Sequence, residues 1–161
     1  MNELIQKISS YNIFNFLLPG IIFVVFLSKV SRFNLILDDI LLALFFYYFL
    51  GLILSRIGSL LIEPILLKIG FIKFSKYDKF LEAIKKDDGI LLQNEINNSF
   101  RTLISVFVMI LFALLFEKGL QYFDVNKEVF EYLLVISIIV LFLFSYRKQS
   151  SYINKRIKSN K

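Results

Sequence analysis

The sequence predicts an all-α protein, an integral membrane bundle of four transmembrane helices with a short amphipathic helical segment on the cytoplasmic side. Three observations carry this. Four long apolar runs lie between Ile13 and Phe144. The chain is 57% hydrophobic and contains 19 phenylalanines, with a mean hydropathy of +0.69, whereas a soluble domain sits near roughly 45–50% apolar. The polar residues gather in one central stretch, about 68–101, and in a basic tail, 147–161. The length allows a single membrane domain, 1–161, with spans at about 13–30, 38–60, 102–117 and 129–146.

The first span, IFNFLLPGIIFVVFLSKV, follows a short amphipathic stretch with Leu4, Ile5 and Ile8 on its apolar side. Only Lys7 is basic before it and no small-residue cleavage pattern follows, so it reads as an uncleaved anchor. Pro19 inside the run predicts a kink. The second span starts after Asp38 and Asp39, whose carboxylates suit the positive end of a helix dipole. Its apolar character persists to Leu67, about 42 Å of helix at ~1.5 Å per residue, against a hydrocarbon core of ~30 Å. This helix is therefore expected to project beyond the core or bend at Pro64. The stretch SKYDKFLEAIKKDDG predicts an amphipathic helix, with Ser75 as its cap, Phe80, Leu81 and Ile84 as its stripe and Gly89 as its stop. ILLQNEINNSFR resumes a helical pattern that leads toward the third span, TLISVFVMILFALLF. After the loop EKGLQYFDVNKEVFE comes the fourth span, with a tail that starts out helical.

Composition removes whole classes of chemistry. The chain has no Cys and no His. That excludes disulfides, thiolate nucleophiles, Cys-ligated metal centres and His-dependent intramembrane catalysis. Asp87-Asp88-Gly89 lacks the further spaced carboxylates of a divalent-cation site and reads as a helix stop and turn; no Gly-rich phosphate loop is present. No cofactor, metal site or catalytic residue is expected, and the chain reads as a non-enzyme. The net charge of +6 is read as topology in preference to nucleic-acid binding, because basic segments stay in the cytoplasm and meet anionic headgroups. With both termini inside, 15 of the 19 basic residues lie on the cytoplasmic face. The expected location is the bacterial inner membrane.

Two sets of residues stand out. Arg56 and Glu63 interrupt the second apolar run on one helix face, two turns apart. Charges at such depth are costly unless they meet protein, water or the interface. Asn12 and Asn15 on the first span, and Asn97 and Arg101 before the third, lie at the same depth. Together these six predict a buried polar cluster at the cytoplasmic mouth of the bundle, either a structural clamp or part of a path. Gly51, Ser55 and Ser59, with Gly58 on the neighbouring face, form a small-residue ladder that permits close helix approach. Packing within one chain and contact between copies in a homo-oligomer both fit that ladder. The aromatic run Phe45–Phe49 reads as lipid-facing and packing surface.

The phrases YNIFNFLLPG and GLILSRIGSLLIEPILLKI resemble segments of uncharacterised small four-span bacterial membrane proteins, some of which accompany antiphage defence genes. The resemblance spans roughly the first hundred residues and implies a membrane-acting component of an immune system under control of a cytoplasmic protein partner. It carries no active-site residues. The expected function is an effector or accessory subunit that oligomerises and perturbs or permeabilises the membrane. The rivals are a non-conducting anchor that recruits a cytoplasmic partner and a small ion-coupled transporter using Glu63.

Overall fold

The computed structural model describes residues 13–120 and 127–159. The amphipathic stretch around Leu4, the candidate Asn12 and the centre of the third loop lie outside the described residues. The molecule is 86% helix, with no strand among the described residues. A wide π-helical turn, Ile13–Leu17, leads into α1, Leu18–Val30. Helix α2, Ile40–Ile57, passes through a second π-helical turn, Gly58–Ile62, into α3, Glu63–Lys68. Then come the short α4, Tyr77–Lys86, and two long helices, α5, Gly89–Leu120, and α6, Lys127–Ser159. Three stretches are long and apolar enough to cross a membrane: Ile40–Lys68, Gly89–Gly119 and Tyr132–Lys158. The apolar helix Asn15–Val30 is shorter.

Local chemistry sets the boundaries. The Asp39 carboxylate accepts from the Leu42 amide at 2.9 Å, the N-cap expected there. Both prolines stand just inside an α-helix that follows a π turn, Pro19 after Ile13–Leu17 and Pro64 after Gly58–Ile62. Proline lacks an amide and its ring clashes with the carbonyl one α-turn earlier; a wider turn relieves that clash without ending the helix. The helix from Ile40 therefore continues through Pro64 to Lys68. It stops at Gly70, whose φ of 76° suits glycine. The Phe71 amide bonds to the Leu66 carbonyl at 3.0 Å and the Gly70 amide to Leu67 at 3.1 Å, a Schellman closure.

Two local expectations are corrected. Ser75 does not cap α4: the capping position is Lys76, and no side chain bonds there. Gly89 does not stop α4 but opens α5, its amide donating to Asp87 Oδ1 at 2.8 Å. The turn at Asp87–Asp88 separates the two helices, and α5 then runs unbroken from the polar segment into the third apolar run.

Contacts along the chain fix the direction of each helix. Helices α1 and α2 are antiparallel, with Gly20 against Tyr47 and Gly51 against Phe16. Helix α5 is antiparallel to α2: Arg101 and Ser105 lie beside Gly58, and Glu117 pairs with Arg32 (3.2 Å) at the opposite end. Helix α6 runs alongside α2 in the same direction, with Phe142 stacked near Phe49 (centroids 6.3 Å) and Lys148 reaching Ser59. The best-packed residues, Val24, Leu27, Leu54, Val106 and Ile110, come from α1, α2 and α5. Among the α6 side chains described, Ser145 alone is buried. Leu133, Ile136, Ile139 and Leu143 all stand more than half exposed, as lipid-facing or partner-facing side chains do.

Candidate polar clasp at one end of the bundle

Glu63 is the centre of the site. It opens α3, directly after the π turn, and is 8% exposed. Arg101 on α5 donates through Nη1 to its Oε2. Lys148 on α6 donates to its Oε1 at 3.0 Å. The same ammonium donates to the Ser59 carbonyl (2.6 Å) and Ser59 Oγ (2.8 Å). All three of its donor hydrogens thus have acceptors. One carboxylate ties its own segment to two others, 38 and 85 residues further along the sequence. Arg101 and Lys148 keep only 18% and 25% of their side chains exposed. In so dry a setting, removing either sign of charge strands the other.

A second polar layer lies one residue further along α5. The Thr102 hydroxyl, fully buried, lies 2.9 Å from the Asn98 carbonyl and 3.3 Å from Asn15 Oδ1. This links α5 to the turn that opens α1. Ser105 Oγ donates back to the Arg101 carbonyl at 3.0 Å. Such back-bonding lets a hydroxyl sit in an apolar bundle without an unmet hydrogen bond. Ser55 Oγ and Arg101 Nε are the buried polar atoms that lack a partner among the described residues.

Of the six predicted cluster residues, the structure brings Glu63 and Arg101 into direct contact and places Asn15 beside Thr102. Arg56 is half-buried and also engaged. Asn97 does not join: it is exposed, and its neighbour Asn98 contributes the carbonyl instead. Lys148, Thr102 and Ser105 were missed. Lys148 was read only as a positive charge of the tail. Asn98, Arg101, Thr102 and Ser105 are spaced three and four apart, a helical polar stripe that the sequence displays.

The small-residue ladder is filled by the chain itself. A Cβ on Gly51 would stand 1.7 Å from the Phe16 carbonyl oxygen, and one on Gly20 would stand 1.8 Å from that of Tyr47. Gly58 lies under Ser105 and Arg101. Ser55 is buried and Ser59 receives Lys148. These positions serve packing between helices of one chain.

Beside the clasp is a cavity of about 350 Å³ lined by Leu60 and one stripe of α6: Phe144, Arg147, Lys148, Ser151, Tyr152 and Lys155. The Tyr152 ring lies 5.9 Å from both the Lys148 and the Lys155 ammonium. Its other neighbour is Tyr77 of α4, with ring centroids 6.2 Å apart. No group of His, Cys, Asp and Glu able to hold a metal ion occurs among the described residues. No protein-family model, curated protein or solved structure matches this chain.

Proposed function

We propose that this chain is a small four-span protein of the bacterial inner membrane, with both termini cytoplasmic, acting as an effector or accessory subunit. In this reading it self-associates and perturbs or permeabilises the membrane under control of a cytoplasmic protein partner, in an antiphage setting. The setting rests on the sequence resemblance. The sidedness rests on the excess of Lys and Arg at the end that carries Glu63 and the tail. Self-association has to use a face other than the occupied Gly51 ladder, and α6 offers one.

The observation that carries the mechanism is the Glu63 clasp. It holds α3, α5 and α6 together at one end, and α4 is coupled to it twice. Helix α5 runs unbroken from Gly89, just after α4, to Arg101, and Tyr77 of α4 meets Tyr152 one turn beyond Lys148. A partner pulling on α4 therefore acts on both cations that hold Glu63. Opening the clasp would strand buried charge, and water or ions entering to solvate it are the defect we envisage.

Ion flux from proteoliposomes tests this. Wild type is expected to be tight without its partner, while Glu63→Gln and Lys148→Met raise leakage several-fold. Variants that fold and stay as tight as wild type would support the non-conducting anchor, in which the clasp is only structural. The transporter reading is disfavoured because both Glu63 oxygens are already engaged.

A further inference from the structure

We infer that the cavity between Leu60 and α6 is a binding site for one anionic phospholipid, its phosphate held by Arg147 and Lys155 beside the engaged Lys148. The cavity lining contains three cations and no carboxylate. Glu63, the acid that meets Lys148, is already shared between Arg101 and Lys148. Neither Arg147 nor Lys155 has an acidic partner among the described residues. A phosphate ester is the chemistry that satisfies such a set: one or more anionic oxygens, accepting from the Arg147 guanidinium fork and the Lys155 ammonium. Ser151 adds a hydroxyl on the same wall.

Soluble phosphate esters share that chemistry, but the shape of the site favours a lipid. Its lining is ordered along α6. Phe144 and Leu60 form the apolar end, and the cations follow at positions 147, 148 and 155, about 16 Å of helix from Phe144 to Lys155 at ~1.5 Å per residue. Phe144 itself belongs to the exposed apolar surface of α6. Apolar surface thus passes directly into a basic pocket, as a molecule with acyl chains and a charged head requires. Basic pockets beside membrane helices on the cytoplasmic side commonly hold anionic headgroups. A lipid there would touch Lys148 and brace the clasp. The inference rests on the membrane placement proposed above.

The test is native mass spectrometry of the full-length protein released from detergent, titrated with phosphatidylglycerol or phosphatidylcholine. One phosphatidylglycerol is expected to be retained at least tenfold more tightly than phosphatidylcholine. Arg147→Gln/Lys155→Gln, which leaves Glu63, Arg101 and Lys148 intact, should lose that preference. Ser151→Trp, which keeps every charge but fills the cavity, should also lose it. Lys79→Gln/Lys85→Gln, which removes the same charge from exposed sites on α4, should retain it. Unchanged binding in the first two variants, or an equal loss in the third, would overturn the site. Displacement by glycerol 3-phosphate at concentrations similar to the lipid's would overturn the lipid in favour of a soluble ester. Failure of lipid binding alongside the flux behaviour proposed above sinks this inference alone; release of the protein from membranes by alkaline carbonate sinks the placement itself.

Discussion

At the scale of single residues, Glu63 is the most consequential side chain in the molecule. Glu63→Ala removes the counter-charge of two largely buried cations and is expected to cost about 3–5 kcal/mol of stability. Glu63→Gln keeps the volume and one acceptor oxygen but sets an NH2 group against the other cation, so it should also destabilise, though less than alanine. Because Glu63 and Lys148 touch, Glu63→Gln and Lys148→Met should be non-additive, with a coupling of about 0.5–3 kcal/mol in a double-mutant cycle measured by unfolding in mixed micelles. Additive losses would mean that the contact carries no energy of its own. Half of this site was legible beforehand. Arg56 and Glu63 announce themselves because charge inside an apolar run is rare. Lys148 does not, because a lysine among several in a basic tail has no distinguishing neighbour in the sequence. Only the continuation of α6 to Ser159, and its path beside Ser59, turns that lysine inward.

At the scale of elements, glycine contacts decide how the helices seat. Gly20 and Gly51 let the backbones of α1 and α2 touch, so Gly51→Ala and Gly20→Ala must push the pair apart. Gly58→Ala meets a rotatable Ser105 hydroxyl at 2.6 Å, and Arg101 side-chain and backbone atoms at 3.2 Å, and should do less damage. Gly119→Ala meets nothing within 4 Å and should be neutral or gain up to about 1 kcal/mol from helix propensity. Melting temperatures of these variants should rank in that order, and a Gly51→Ala protein as stable as wild type would contradict the packing described. Helix identity was largely readable here because apolar runs of this length leave little choice in lipid. Boundaries were less so: Asp39 capped as its position implied, whereas Gly89 acts as a starter because the Asp87 side chain beside it supplies the cap. Whether the small-residue ladder joined helices or copies was undecidable from spacing alone, since both uses need the same residues.

At the scale of the whole molecule, the alternating helix directions put the Asn34 loop at one end and Gln149, with the rest of the tail, at the other. The absence of cysteine makes single-cysteine labelling clean. On the sidedness proposed above, cysteines at Phe74 and Gln149 should be blocked only by permeant reagent, and one at Asn34 by impermeant reagent in intact cells. Labelling of Asn34 and Gln149 from the same side would break the arrangement. The π turn at Gly58–Ile62 has one more effect at this scale. It is equivalent to a one-residue insertion, a frame shift in the order in which side chains meet their neighbours. Deleting Leu61, whose own side chain is 54% exposed, would remove that extra residue and restore an ordinary helical repeat with everything after it still in phase. Glu63 would stay beside Arg101 and Lys148, whereas plain α-helix through all the residues present would turn it away by about 100°. The deletion should therefore melt near wild type and well above Glu63→Ala, and a deletion that melts like Glu63→Ala would contradict the slack that this turn is taken to hold.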